Sequence, residues 1–329
     1  MRRTILRLAV PLALLAGCGD TLDPVSLVTR PRVLGFELSV EGDAERTTPR
    51  TGETLNLRLP FAFPEEAQGI DFVGVACLGV DVGFGVPFCA SEDSVIAPLV
   101  SRSVAPAFPE VSFTVPADFP EDAELLVIAA ACVGGVVDPE LFASALDISS
   151  PPAGGLVVCA DDVGTGELLQ STIPVQRIPD DANLNPLPLV EVRLDGRVLP
   201  PDPGGVPGTA CTDVPELPTF FSDSGDVDLV VESAPETFED YFVLDADDQP
   251  LPVVEALQHA LLITAGELEA NFIFTEREDV REDTIYTLPL IEERPVAAEG
   301  SLERLWFSIR DERGGLRIES RAYCLLPGV

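Results

Sequence analysis

Hydrophobic and polar residues alternate along much of the chain in short runs, a pattern typical of β-strands with one buried face. The clearest run lies near the C-terminus, where Leu305, Phe307 and Ile309 occupy every second position. A second alternating run begins at Leu316, directly after Gly314-Gly315. The pattern predicts a β-hairpin with one face in a hydrophobic core.

Similar runs recur throughout the chain and are separated by turns rich in proline, glycine and aspartate. The 31 prolines among 329 residues disfavour long helices. One helix start is expected at Asp138-Pro139-Glu140, because a capping residue there precedes proline at the first helical position. The segment "VVEALQHALLITAGEL" fits either a helix or a strand. Many short strands at this spacing predict an all-β protein built from sandwiches or barrels.

Two domains are expected, because the chain is longer than single sandwiches usually are. The best boundary is "QRIPDDANLNPLP", where prolines interrupt strand pairing and a polar run offers a solvated linker. We therefore predict an N-terminal sandwich over residues 33–178 and a C-terminal sandwich over residues 179–329.

The N-terminus has the parts of an export signal: arginines, then an apolar run from Leu8 to Leu15, then small residues. This run is too short to span a membrane, since a transmembrane helix needs about 20 apolar residues. The order Leu15-Ala16-Gly17-Cys18 resembles the lipobox of bacterial lipoproteins. The resemblance implies removal of residues 1–17 as a signal peptide and acylation of Cys18, followed by a lipidated tether over residues 18–32.

Attachment through Cys18 is expected to be durable, because two or more acyl chains bind a membrane far more stably than one. In the lipoproteins that the motif resembles, aspartate directly after the cysteine favours retention at the inner membrane. Gly19 holds that place here and Asp20 follows it. We therefore expect an exported protein anchored to the outer membrane.

The composition is strongly acidic, with a formal charge of −36, yet 46% of the residues are hydrophobic. Loss of the signal peptide with its three arginines would change this charge to −39. Nucleic acid is therefore not an expected partner, since its phosphates would be repelled. The hydrophobic content indicates a folded chain rather than a disordered one.

Six cysteines remain after Cys18, and an oxidising compartment favours their pairing in disulfides. Fifteen pairings are possible. We prefer the sequential one, because it keeps each bridge inside one proposed domain: Cys77 with Cys89, Cys132 with Cys159, and Cys211 with Cys324. A metal site is less favoured, because the chain has no CxxC spacing and a single histidine.

The lipobox, the short tether, "PRVLGFELSVEGDAERTTPRTGETLNLRL" and the closing "LWFSIRDERGGLRIESRAYC" together resemble Gram-negative lipoproteins built from immunoglobulin-like sandwiches. The resemblance covers most of the mature chain and implies two immunoglobulin-like β-sandwich domains in tandem. It implies no particular activity.

No catalytic residue is expected. The single histidine, His259, lies among apolar residues in "LQHALLI", which favours a structural imidazole. The chain has no GxSxG, HExxH, phosphate-loop or dinucleotide motif. A pair of catalytic carboxylates, as in a glycosidase, cannot be located by sequence among 56 acidic residues.

Calcium is the one cofactor that the sequence suggests. "DANLNP", from Asp181 to Pro186, resembles the cadherin interdomain linker and falls at the proposed domain junction. Asp181, Asn183 and Asn185 would supply oxygen ligands. The alternative is a polar turn in which Asp181 and Asn183 cap backbone amides.

Three functions remain open. We favour a membrane-anchored structural or interaction protein of the cell envelope, with an envelope protein or polysaccharide as partner. Its contacts are expected in the loop from Cys77 to Cys89 and in "PPDPGGVPGT", because sandwich loops carry function. The alternatives are a carbohydrate or small-ligand binding module and, less favoured, an acid-carboxylate hydrolase.

Overall fold

The computed structural model describes residues 25–328, apart from 82–86, 90, 105–106, 121–122, 147–157, 161–163, 178–181, 212–213, 215, 245–249 and 293. Cys18 and Asp181 therefore lie outside the described residues. In the described part the chain is almost entirely β, with one short α-helix. None of the described helices is long and apolar enough to cross a membrane.

The elements up to residue 178 form the first unit. They are β1 (Arg32–Val33), β2 (Glu37–Val40), β3 (Thr54–Arg58), β4 (Phe61–Ala62), β5 (Ile70–Asp81), β6 (Pro87–Cys89), a 3-10 turn (Glu92–Ser94), β7 (Val95–Ser103), β8 (Glu110–Thr114), β9 (Glu124–Val133), α1 (Pro139–Leu146) and β10 (Thr165–Ile173).

The elements after residue 182 form the second unit. They are β11 (Glu191–Leu194), β12 (Arg197–Val198), β13 (Thr219–Phe221), β14 (Asp226–Glu232), a 3-10 turn (Pro235–Thr237), β15 (Asp240–Leu244), β16 (Pro250–Val254), β17 (Leu257–Ile263), β18 (Glu267–Leu268), β19 (Phe272–Thr275), β20 (Arg281–Thr287), β21 (Ser301–Arg310) and β22 (Leu316–Leu326).

The first unit is a sandwich of two antiparallel sheets. The smaller sheet has the order β2-β3-β8, and the larger has the order β10-β9-β5-β6, with β7 also pairing with β5. Apolar side chains of both sheets, including Leu55, Leu57, Phe72 and Val127, form one buried cluster. The smaller strands β1 and β4 pair with each other beside this sandwich.

Strand β9 is buried on both faces, which explains its continuous apolar run "ELLVIAAACV". One face, including Leu125 and Val127, belongs to the main core. The other face, including Leu126 and Ile128, is covered by Phe142 of α1. The helix begins where the sequence predicts, and Asp138 Oδ1 accepts the backbone N–H groups of Glu140 and Leu141 at 2.8 and 3.2 Å.

The second unit also stacks two sheets, with the orders β12-β11-β14-β20-β18 and β13-β22-β21-β17-β19. All their pairings are antiparallel except that of β13 with β22. Leu229, Val231, Leu261 and Phe307 lie in the buried cluster between the sheets. The segment that fitted either helix or strand, residues 253–268, forms the end of β16 together with β17 and β18. Strands β15 and β16 pair with each other in a separate two-stranded sheet.

The C-terminal hairpin forms as β21 and β22, but both faces of β21 are buried rather than one. Leu305 and Phe307 point into the core of the second unit. Trp306, on the opposite face, packs with Leu34 and Ala62 of the first unit. The alternation of the sequence cannot show this second burial, because the covering residues come from the other end of the chain.

The segment before β1 also contacts the second unit. Within the tether predicted over residues 18–32, Val28 N–H donates to Ile263 O at 2.8 Å, and Ile263 N–H donates to Ser26 O at 2.9 Å. Val28 is buried. The described end of this segment therefore pairs with β17 instead of extending freely.

Candidate functional site

A cleft of about 450 Å³ lies between the two units, and we name it the aromatic cleft. The first unit contributes Phe61, Phe63 and Phe108, and the second contributes Trp306 and Ile318. Its polar lining consists of Arg58, Glu65, Asp202, Arg304, Glu319 and Ser320. Ligand sites are commonly found at such domain interfaces, in clefts of about 300–1,000 Å³.

The aromatic walls are positioned by two packed strands. Phe61 lies in β4, and its ring stacks on that of Phe63 with a centroid distance of 6.0 Å. Trp306 lies on the outward face of β21 and is 6% exposed. Phe108 is half-buried, and the guanidinium carbon of Arg58 lies 5.0 Å from the centre of its ring. The cleft thus combines fixed apolar walls with one partly accessible ring.

The loop "PPDPGGVPGT", expected from the sequence to make functional contacts, forms one edge of the aromatic cleft. It is fixed along the C-terminal hairpin, since Asp202 N–H donates to Ser320 O at 3.0 Å and Gly208 N–H donates to Leu302 O at 2.8 Å. The sequence offered the loop as a candidate, but nothing in it indicated Phe61, Phe63 or Trp306 as neighbours.

The charged edge of the cleft centres on Arg304. Its Nη2 donates to Gly205 O at 2.7 Å, and its Nε lies 2.7 Å from Asp202 Oδ2. This second contact is an ion pair without hydrogen-bond geometry, because the N–H of Nε is not directed at the oxygen. Arg58 is paired with Glu37 on the other side of the cleft. Fixed charges and hydrogen-bonding groups therefore surround an apolar interior.

The six cysteines after Cys18 form the three sequential bridges that the sequence favours. The Sγ–Sγ distances are 2.02 Å for Cys77–Cys89, 2.09 Å for Cys132–Cys159 and 2.14 Å for Cys211–Cys324. Each bridge stays inside one unit. Three disulfides are typical of a protein exported to an oxidising compartment.

The segment expected to be a solvated linker includes residues 178–181, which lie outside the described residues. In its described part, Asn183 and Asn185 are packed between the units instead of being solvated. Asn183 is 1% exposed, and its Nδ2 donates to Asp311 Oδ2 at 3.1 Å. Asn185 Nδ2 donates to Leu38 O at 2.8 Å, and its Oδ1 accepts Leu316 N–H at 3.2 Å. The Asn183 and Asn185 side chains therefore serve as bridges between protein segments.

Calcium at Asp181, Asn183 and Asn185 stays a prediction, because Asp181 lies outside the described residues. Asn183 Oδ1 is buried without a hydrogen-bond partner. In the part of the chain that the structure describes, no group of three or more His, Cys, Asp or Glu side chains is placed to hold a metal ion.

His259 is fully buried in β17, as its apolar neighbours in the sequence suggest. Its Nε2 lies 2.8 Å from Thr275 Oγ1 and 3.3 Å from Ser233 Oγ, while Nδ1 has no partner. Burial lowers the pKa of His259 from 6.5 to about 4, so the ring is neutral at pH 7. This environment is that of a structural histidine.

A group of carboxylates around Arg313 was not apparent from the sequence. Arg313 pairs with Glu239 and with Glu255, whose Oε1 lies 3.3 Å from Arg313 Nε. Burial, together with the nearby charge of Asp311, raises the pKa of Glu255 to about 7. Burial also raises the pKa of Asp311, which accepts the backbone N–H groups of Arg313 and Gly315.

This carboxylate group does not resemble the open pair that a hydrolase needs. Glu255 is only 2% exposed, and a guanidinium group lies against it. Glu239 directly precedes β15 and Glu255 directly follows β16, whereas Asp311 and Arg313 lie in the β21–β22 turn, more than 50 residues further along the chain. Composition alone gave no signal for this grouping.

No protein-family model matches the chain, and no curated protein matches it. Among solved structures, the chain is similar to red sea bream transglutaminase, with 9% identity and a TM-score of 0.23 over 89% of this chain and 32% of the transglutaminase chain. It is similar to dimeric latent PorU from Porphyromonas gingivalis, with 9% identity and a TM-score of 0.23 over 91% of this chain and 24% of PorU.

The two tandem V-type regions of VCBP3, a v-region-containing chitin binding protein, match with 8% identity and a TM-score of 0.22, over 88% of this chain and 99% of theirs. The chain spans less than a third of the transglutaminase and of PorU. Because all three TM-scores lie well below 0.5, these likenesses carry no argument about this protein.

Proposed function

We propose that this protein is a non-catalytic binding protein of the bacterial cell envelope, held at the outer membrane by acyl chains on Cys18. The observation that carries its binding role is the aromatic cleft between the two sandwiches. The three disulfides support an exported location, and the lipobox at Leu15–Cys18 supports the anchor.

The lining of the cleft favours a small ligand with an apolar body and hydrogen-bonding groups at its edge. Phe61, Phe63 and Trp306 supply apolar surface, and Arg304 and Asp202 supply charged groups at the rim. A short oligosaccharide fits this description, since sugars present apolar C–H faces and peripheral hydroxyl groups. The function is thus closer to a ligand-binding module than to a purely structural sandwich.

The chain carries its own reporter for this proposal, because Trp306 is its only tryptophan and lines the cleft. We expect a saturable change in tryptophan fluorescence when the purified protein is titrated with a panel of short oligosaccharides and small aromatic glycosides. The substitution F108A should weaken binding of the responding ligand roughly tenfold, since it removes the accessible ring of the cleft.

The matched control is F242A, because Phe242 is 68% exposed and lies outside the cleft. It should leave the affinity unchanged. A flat fluorescence response to the whole panel, with no heat of binding by calorimetry, would contradict the proposal. Equal losses in F108A and F242A would also contradict it.

The anchor is tested separately from the cleft. We expect the mature protein to carry a diacylglycerol mass on Cys18 and to fractionate with outer membranes. The variant C18S should be released from the membrane while its fluorescence titration stays the same. An unmodified thiol at Cys18 in protein purified from its native membranes would refute the anchor and leave the cleft untouched.

A macromolecular partner is a second candidate, favoured by exposed aromatic side chains on the second unit. Phe272 and Phe274 are 48% and 56% exposed and lie two residues apart on β19, so they point to the same face. Exposed apolar groups of this kind mark interaction surfaces. Cross-linking in intact cells should recover one reproducible envelope partner, and F272S/F274S should abolish its recovery.

A further inference from the structure

We propose that a second cleft, lined by arginines and separate from the aromatic cleft, binds a small multivalent oxyanion through carboxylate or phosphate groups. This arginine cleft has a volume of about 840 Å³ and is lined by Arg30, Arg32, Arg310 and Arg313. It lies along β10 and the β21–β22 turn. The proposal does not depend on the function assigned to the aromatic cleft.

The first argument is charge pairing. The chain has 56 acidic residues and only 20 basic ones, all arginine, so acidic partners are abundant. Most arginines of the described chain are ion-paired accordingly: Arg46, Arg58, Arg102, Arg193, Arg277, Arg294, Arg304, Arg313, Arg317 and Arg321. Arg30, Arg32 and Arg310 form no ion pair with any described carboxylate, although all three line the same cleft.

The second argument is how these guanidinium groups are held. Arg310 Nη2 donates to Leu34 O at 3.0 Å, and its Nε lies 3.4 Å from Ser308 Oγ. Arg32 donates to Val25 O. The contacts of Arg310 and Arg32 are with neutral acceptors, which fix the groups without neutralising them. Burial lowers the pKa of Arg310, in keeping with a cation that lacks a compensating charge.

Gly35 provides the space for Arg310. A Cβ atom at residue 35 would lie 2.9 Å from Arg310 Nη2 and 2.6 Å from Leu316 Cδ2. The φ angle of Gly35 is +135°, which side-chain-bearing residues rarely adopt. The backbone at the rim is thus shaped to admit this guanidinium group.

The acidic residues of the cleft have partners of their own or stand apart from these arginines. Asp311 accepts two backbone N–H groups and the Asn183 amide, and Glu312 Oε2 accepts the Tyr241 hydroxyl at 2.7 Å. Among the described residues, Glu167 of β10 forms no ion pair with Arg30, Arg32 or Arg310. Planar guanidinium groups match carboxylate and phosphate oxygens, often through two parallel hydrogen bonds.

The polar wall opposite the arginines suits the same ligand class. Gln170, Ser171 and Thr172 of β10 line the cleft. Strand β10 is the edge of its sheet, so part of its backbone is not paired with another strand. Three cations and neutral hydrogen-bonding groups around one space favour an anion with several oxygens over a monovalent one.

The test is calorimetric titration of the purified full chain at low ionic strength with citrate, pyrophosphate and inorganic phosphate. We expect saturable binding of citrate or pyrophosphate, with phosphate weaker than either. Citrate alone would indicate a carboxylate ligand, and pyrophosphate alone a phosphate ligand. The substitutions R30Q and R310Q should each weaken binding roughly tenfold.

R30Q is the decisive variant, because Arg30 is exposed and forms no side-chain hydrogen bond or ion pair with any residue that the structure describes. R281Q is the matched control, since Arg281 is also exposed and has no ion-pair partner among the described carboxylates, but lies outside the cleft. R281Q should bind as the native chain does. Absence of binding to all three anions, or equal losses in R30Q and R281Q, would overturn the proposal.

Discussion

Asn183 lies between the two sandwiches and forms bonds with both. Its side-chain Nδ2 donates to Asp311 Oδ2 at 3.1 Å in the second unit. Its backbone N–H donates to Thr48 Oγ1 at 2.9 Å, and its carbonyl accepts Thr47 N–H at 2.9 Å in the first unit. A single buried residue thus connects the two halves of the protein.

Replacement of Asn183 by alanine should therefore destabilise the whole chain. The variant loses the bond to Asp311 and leaves that partly buried carboxylate with one donor fewer. We expect the free energy of unfolding to fall by about 1–3 kcal/mol, as for other buried hydrogen bonds whose partner remains. Urea denaturation followed by Trp306 fluorescence measures this change.

The control is N271A, because the Asn271 side chain is only half-buried and its carboxamide forms no hydrogen bond with any residue that the structure describes. A loss in N183A no larger than that in N271A would show that the bond to Asp311 contributes little.

The calcium prediction is tested by repeating the urea denaturation of the native chain in the presence of a calcium chelator. Destabilisation by the chelator would support a site at Asp181, Asn183 and Asn185.

The disulfides should differ in their contribution to stability. Cys211 and Cys324 are 113 residues apart, whereas Cys77 and Cys89 are 12 apart. Chain-entropy arguments predict a loss of about 5 kcal/mol for the long loop and about 3 kcal/mol for the short one. Urea denaturation of C211A/C324A and C77A/C89A should give that order. The reverse order would mean that the bridges do not stabilise the protein mainly by restricting the conformational entropy of the unfolded chain.

The sequence predicts the local elements well but does not predict the aromatic cleft, and the difference has a physical reason. The β21–β22 hairpin and the start of α1 depend on alternation and on the Asp138 cap, which act over a few residues. The packing of Trp306 on Leu34 depends on two segments at opposite ends of the chain. No local pattern carries information about such a contact, because it is set by how the units meet.

The same reason explains why the carboxylate group around Arg313 was missed. Glu239, Glu255 and Asp311 lie on separate segments, and each resembles any other acidic residue of an acidic chain. Their burial, which raises the pKa of each, arises only when these segments pack together. The disulfide pairing is easier to predict from the sequence than this carboxylate group, because the proposed domain boundary limits which cysteines can meet.

Glu255 should make the protein less stable as the pH rises from about 4.5 to about 7. Its pKa is about 7 in the folded chain and 4.5 as a reference, so the folded state holds the proton more tightly. Glu255 should therefore lower the free energy of unfolding across that range by at most about 3 kcal/mol. The negative charges of Asp311 and Glu239 also raise the pKa of Glu255, whereas the positive charge of Arg313 lowers it.

The variant E255Q removes this titration and should flatten the dependence of unfolding free energy on pH between about 4.5 and 7. Urea denaturation at several pH values measures the slope. E278Q is the control, because Glu278 is exposed and its carboxylate forms no hydrogen bond or ion pair within the described part of the chain. An unchanged slope in E255Q would mean that Glu255 stays ionised across this range despite its burial.

His259 should have the opposite effect on the acid side. Its pKa is about 4 in the folded chain and 6.5 as a reference, so the unfolded state takes up the proton first. The stability that the neutral ring contributes is complete above pH 6.5 and is lost as the pH falls towards 4. The total change is about 3 kcal/mol. Between pH 4.5 and 6.5 this loss partly offsets the gain from Glu255.

Because the chain has one histidine, its ring protons give a single pair of proton NMR signals that can be followed with pH. We expect these signals to titrate in the folded protein with a midpoint near 4, or to stay unshifted until acid unfolding begins. In H259Q, the free energy of unfolding should fall less between pH 6.5 and 4 than in the native chain. A midpoint near 6.5 would show that the ring meets solvent and is not enclosed beside Thr275 and Ser233.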